Sequence, residues 1–108
     1  MSEAYSETGG IRYGTSFCTA LNFTWPFATL TVTADQLVIR VALVGIWSRT
    51  FTLNRAQINS IKRKRALWSV GIEINHSIPE YPPFILFWTF RYRRLKHELE
   101  CRGYELRD

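Results

Sequence analysis

Phe84-Ile85-Leu86-Phe87-Trp88-Thr89-Phe90, continued without a break by Arg91-Tyr92-Arg93-Arg94-Leu95-Lys96-His97-Glu98-Leu99-Glu100-Cys101-Arg102 and then Gly103, is the stretch on which the fold turns. Its first part is apolar at every position except Thr89, which predicts a strand covered on both faces. Its second part places Tyr92, Leu95 and Leu99 at helical spacing, a narrow apolar stripe that packs the helix against a sheet. Gly103 follows as the left-handed residue that ends such a helix.

Six further β-type segments precede it, between Thr15 and His76. Thr15 to Phe23 alternates Phe17, Thr19, Leu21 and Phe23 against smaller residues, the period of two of a strand. Trp25-Pro26-Phe27 interrupts it, since proline is confined to edges, bulges and turns, and predicts a corner or loop. Ala28 to Thr33 and Gln36 to Val41 are β-branched runs joined by Ala34-Asp35, a tight hairpin without the favoured glycine. Ile46 to Leu53 follows Gly45. Ile58 to Lys64 carries only Ile58 and Ile61 as large apolar groups and reads as a solvated edge strand. The sixth segment sets Trp68, Val70, Ile72 and Ile74 inward. Pro79-Glu80-Tyr81-Pro82-Pro83 forces an irregular loop, because each proline fixes its own φ and restricts its predecessor.

The order implies a mainly β chain with one C-terminal α-helix: a seven-stranded, strongly bent antiparallel sheet, or partly open barrel, capped by the helix. At 108 residues with 46% hydrophobic residues, the chain fits a single domain with one core. Residues 11–108 are expected to form that domain. Met1 to Gly10, small, polar and acidic, reads as a flexible arm and lacks the features of a secretory signal. The apolar runs Val41 to Trp47 and Pro82 to Phe90 are far shorter than the ~20 residues that span a bilayer. Cys18 and Cys101 are too few and too distant for a disulfide framework or a zinc site, so free thiols in the cytoplasm are expected, with no metal or cofactor.

The stretch Ala28-Thr29-Leu30-Thr31-Val32-Thr33-Ala34-Asp35-Gln36-Leu37-Val38-Ile39, with Phe51-Thr52-Leu53 and Gln57-Ile58 beyond it, resembles the second to fifth strands of the pleckstrin-homology-like superfamily, in particular its GRAM and bacterial PH-like branch. The resemblance covers roughly Thr15 to Gly103. It implies a bent antiparallel sheet whose open end is plugged by the helix. Phosphoinositide-binding PH domains carry basic residues on the first two strands and the loop between them. From Tyr13 through Ile39 this chain has no Lys or Arg, so that activity does not carry over.

The net charge is +5, and every charged residue between Asp35 and Glu73 is basic. Lys62-Arg63-Lys64-Arg65 reads first as a solvated strand margin guarded against edge pairing, and second as a site of contact with phosphate. In the helix, Arg91, Arg93, Arg94 and Lys96 crowd the N-terminal end while Glu98 and Glu100 lie near the C-terminal end, the reverse of what the macrodipole favours. An anion held at that end would explain the order.

Phe23, Trp25 and Phe27 form either an apolar tip or core, and Phe84, Phe87 and Trp88 belong to the doubly apolar strand. These six are the candidate interaction surface. Of the groups fit for catalysis, His76, His97, Cys18, Glu73, Glu80 and Glu98, no set has the three-part logic of a reaction, and a small barrel fills its own interior. The expectation is therefore a non-catalytic, cytoplasmic interaction module that binds a protein partner or itself. The alternative is a peripheral binder of anionic phosphate, with a membrane surface expected ahead of nucleic acid.

Overall fold

The computed structural model describes residues 4–15, 20–43, 45–65 and 69–107. Expectations placed on Phe17, Cys18, Thr19 and Trp68 lie outside the described residues. The described residues form eight strands and one helix: β1 (Tyr5–Gly14), β2 (Ala20–Val32), β3 (Gln36–Leu43), β4 (Trp47–Asn54), a 3₁₀ turn (Arg55–Gln57), β5 (Ile58–Arg65), β6 (Val70–His76), β7 (Phe84–Thr89), α1 (Tyr92–Cys101) and β8 (Leu106–Arg107). All strands join one bent, unclosed sheet of order β4-β3-β2-β1-β7-β6-β5-β8. Pairing is antiparallel throughout, apart from the two-residue β8, which lies parallel to β5.

The expected architecture of a bent sheet with one C-terminal helix is present, with eight strands in place of seven. Two strands are additional, β1 and β8, while two expected segments merge into β2. The expected flexible arm, Met1 to Gly10, instead supplies most of β1, which pairs with β2 along Tyr5–Gly9 and Ile11–Gly14 and with β7 along Gly10–Gly14. Tyr5, Glu7, Gly9, Ile11 and Tyr13 alternate inward and are buried. Gly9 and Gly10 are there for space: a Cβ on Gly9 would strike the carbonyl oxygen of Trp88, and one on Gly10 would strike the Trp88 indole.

The two segments expected on either side of Trp25-Pro26-Phe27 are one strand, β2. The anticipated interruption is a bulge within it, for Gly9 pairs with Ala28 and Ile11 with Phe23, leaving Thr24 to Phe27 opposite Gly10 alone. At the β2–β3 turn Thr33 takes the place of the missing glycine: its N–H donates to the Gln36 carbonyl and its Oγ1 accepts from the Gln36 N–H, at 3.0 and 3.2 Å.

The core lies on the inner face. Leu30, Ile39, Phe51, Ile72, Ile85 and Phe87 from five strands meet Leu95 and Leu99 of α1 in a single cluster. Burying a side chain of this size contributes about 1.5–3 kcal/mol. The helix therefore enters the core and does not cover the outer side of β7. On that outer side Phe84 and Trp88 stay half-buried, while Leu86, flanked by Arg12 and Glu73 on the neighbouring strands, is buried.

The end of α1 is as expected. Gly103 has φ +88°, the Gly103 N–H donates to Glu100 O, and the Tyr104 N–H donates to Leu99 O, each at 3.0 Å, which together make a Schellman motif. The Tyr104 hydroxyl then donates to Thr33 O at 2.8 Å and fixes this end of the helix on the β2–β3 turn.

Candidate functional site

The first turn of α1 has no side-chain cap and no acidic residue. Its anion comes from across the sheet. The inward alternation of β1 delivers the Glu7 carboxylate, 3% exposed, to the β7–α1 junction. There it accepts hydrogen bonds from the Tyr5 hydroxyl and, at 2.7 Å, from Thr89 Oγ1, and lies 3.4 Å from Arg91 Nε. Thr89 Oγ1 also accepts the Arg91 N–H at 3.1 Å. The Arg94 guanidinium stands over the Tyr5 ring at 5.5 Å. A buried carboxylate is tolerable only when hydrogen-bonded and paired, and Glu7 is both. Burial, followed by the hydrogen bond to Glu7, raises the Tyr5 pKa above its usual value. Arg91, at the positive end of the helix, thus has an internal counter-ion. Sequence reasoning located the need for an anion and missed its source, because Glu7 sat in a segment read as an arm.

The remaining basic candidates are partly brought together. The Arg63 guanidinium lies 5.8 Å from the centre of the Tyr92 ring, so the end of β5 adjoins the first turn of α1 that carries Arg93 and Arg94. Lys64 projects to the opposite face of β5 and pairs with Glu73 at 3.7 Å. Lys62, Arg65 and Arg93 are exposed, and none has a carboxylate partner among the described residues. β5 is not the outermost strand where Ile61 and Lys62 pair with Leu106 and Arg107 of β8.

The aromatic candidates divide. Phe87 is fully buried and belongs to the core, a correction to its place on the expected interaction surface that follows from its inward position on β7. Phe23 is half-buried, stacked on Trp47 at 5.3 Å and beside Tyr13 at 6.1 Å. Phe27 and Phe84 are half-buried. Trp25 is 47% exposed. Its ring lies 6.2 Å from that of Phe90, which in turn lies 5.7 Å from Trp88. Phe90, 61% exposed, was placed in the doubly apolar strand, yet it follows the last β7 pair and faces solvent. Between Trp25, Phe90 and Arg91 opens a hollow of about 350 Å³ whose floor includes Glu7 and Thr89.

Two of the groups weighed for catalysis, His76 and Glu98, are engaged in hydrogen bonds within the fold. Both ring nitrogens of His76 are occupied in the β6–β7 loop: Nε2 donates to Pro82 O at 2.8 Å and Nδ1 accepts the Ile78 N–H at 3.0 Å. Glu98 accepts from Arg102 at 2.6 Å, and that bond holds its pKa below the usual carboxylate value. Cys101 is exposed, its Sγ 3.4 Å from His97 Nε2. No cluster of three or more metal-ligating side chains occurs among the described residues, and no described helix is long and apolar enough to cross a membrane. No known family model matches the chain, and no curated protein matches it.

Proposed function

We propose that this chain is a non-catalytic, PH-like interaction module of the cytoplasm that associates with a second copy of itself through Trp25, Trp88 and Phe90. The observation that carries the reading is that exposed aromatic cluster. Phe90 lies between the rings of Trp25 and Trp88, at 6.2 and 5.7 Å, and with Trp25 and Phe90 exposed and Trp88 half-buried the three make an apolar patch of the kind found at interfaces. The meander order β4-β3-β2-β1-β7-β6-β5, with α1 inserted into the core, supports the PH-like part of the reading. Light scattering on a sizing column tests the association: the mass should rise with loading, and Trp25→Ala with Phe90→Ala should hold it at that of one chain. A native chain that remains single at every loading refutes it.

A second reading has its own observation. Arg63 stands over the Tyr92 ring and Arg94 over the Tyr5 ring at the N-terminal end of α1, and an anionic membrane surface would complement them. Vesicles rich in phosphatidylserine should then capture the chain at low salt and release it as salt rises, with a short DNA duplex as the competing anion. Absence of capture at low salt rules this reading out.

A further inference from the structure

The two margins of the sheet are finished differently. At one, β8 and the charged side chains of β5 cover the strand. At the other, β4 is covered only in part. The Thr52 N–H leaves the sheet and donates to the Tyr81 hydroxyl at 3.1 Å. By the period of two, Thr50 and Ser48 direct their backbone groups the same way, and no side chain or loop among the described residues meets them. Natural sheets blunt such a margin with charge, proline or cover. Here the residues are Ser48 and Thr50, small and exposed.

Two arginines flank this opening, one on each face. Arg49 points inward over the rings of Phe51 and Tyr13, at 4.6 and 5.1 Å. Arg40, which pairs with Thr50 across β3 and β4, points outward and is exposed. Neither has a carboxylate partner among the described residues. A hollow of about 530 Å³ adjoins the same edge, walled by Leu43, Ile46 and Trp47 with Arg40 at its rim. Ile46 is 84% exposed.

We infer that β4 accepts an extended acidic segment of a partner protein as an added antiparallel strand at Ser48–Thr50, with carboxylates meeting Arg49 on the inner face and Arg40 on the outer. An added strand lies about 4.8 Å from β4 and about 10 Å from β3, and the small Thr50 side chain lets Arg40 span the second interval. Side chains of such a segment alternate between faces, so acidic residues at odd and even positions each find an arginine, and an apolar residue enters the hollow beside Trp47. Charge selects the occupant: a second copy of β4 would bring Arg40 and Arg49 against themselves, whereas an acidic strand neutralises both. The inference rests on the reading of the chain as an interaction module and goes beyond it to a different surface.

Fluorescence anisotropy with a labelled heptapeptide of sequence Val-Glu-Glu-Val-Glu-Glu-Val, which presents carboxylates on both faces of an extended strand, and with its Lys counterpart, tests it. The acidic peptide should bind and the basic one should not. Thr50→Pro removes an outward donor without removing a rung of the β3–β4 ladder and should weaken binding about tenfold or more. Arg40→Ala with Arg49→Ala should do likewise. Should Thr50→Pro misfold, a peptide N-methylated at alternate residues puts the same question to the native chain and should bind as poorly. Lack of binding by the acidic peptide, equal binding by both peptides, or indifference to N-methylation overturns the inference. So does a dimer that Thr50→Pro dissolves, since the occupant would then be a second copy. Trp25→Ala with Phe90→Ala should leave peptide capture unchanged, which separates failure here from failure of the aromatic surface.

Discussion

Glu7 shows how much one buried carboxylate organises. Replacement by Ala would strip Arg91 of its partner, leave the Tyr5 hydroxyl without its acceptor and leave Thr89 only the longer bond to Thr8 O at 3.4 Å, in a site that is 3% exposed. Because the Arg91 side chain is 55% exposed, the charge is partly screened, and the expected loss is about 2 kcal/mol, read from the urea midpoint. Two tyrosines set the alkaline limb of stability. Burial raises the pKa of Tyr5, and also that of Tyr104, above 10.0. The contribution of each is complete below the unfolded pKa and is lost as pH rises through the folded one. Thermal melts should therefore fall above about pH 10, and Tyr5→Phe should flatten part of that fall. Glu98 acts at the other limb. Its pKa is lowered, so its contribution is present above the unfolded value near 4.5 and lost as pH falls through the folded one. Glu98→Gln should make the acid limb shallower.

At the scale of elements, α1 is held at its C-terminal end by Arg55, one of the basic residues between Asp35 and Glu73. Its guanidinium donates to Ala34 O at 3.0 Å, to Arg102 O at 2.9 Å and to Gly103 O, and lies 4.7 Å from the centre of the Tyr104 ring. A cation on the carbonyl end of a helix is favoured by the macrodipole. Arg55→Ala should cost about 1–2 kcal/mol by denaturant titration, with loss of protection at the Gly103 and Tyr104 amides. Gly103→Ala should cost about 1 kcal/mol or more, since φ is positive there and the added methyl meets Arg55. The helix, its stop and most strands were legible because their periods are clean. β1 was not. Its inward series holds a carboxylate and a glycine, Glu7 and Gly9, and its outward series is polar, so a pattern built on hydrophobicity sees a loose tail. Deleting residues 1–10 decides the matter: loss of the cooperative transition is expected, whereas a native-like melt would restore the arm.

For the molecule as a whole, the bent sheet with its inserted helix followed from the order of periods, while the surfaces did not. Phe87 and Trp88 are adjacent on one apolar strand, and only the pairing with β1 and β6 decides that the first is core and the second half-exposed. The basic residues were legible as a cluster by count, but their division was not. Arg91 is neutralised by a residue far away in sequence, Arg55 holds a helix end, and Arg40, Arg49, Lys62, Arg65 and Arg93 remain without an ionic partner among the described residues. Which cation is spent on the fold and which is left for a ligand depends on contacts between distant segments, and those are invisible to composition.

The seat of β1 has a temporal consequence. The strand is made early, yet one flank must wait for β7, and the Glu7–Thr89 bond closes a loop across a separation of 82 residues. On the ribosome, β1 to β4 can assemble as a hairpin stack while the inner margin of β1 stays bare until Phe84–Thr89 has cleared the exit tunnel. The sheet is thus joined by pairing between the first and nearly the last of the described strands, a contact of high sequence separation of the kind that slows folding.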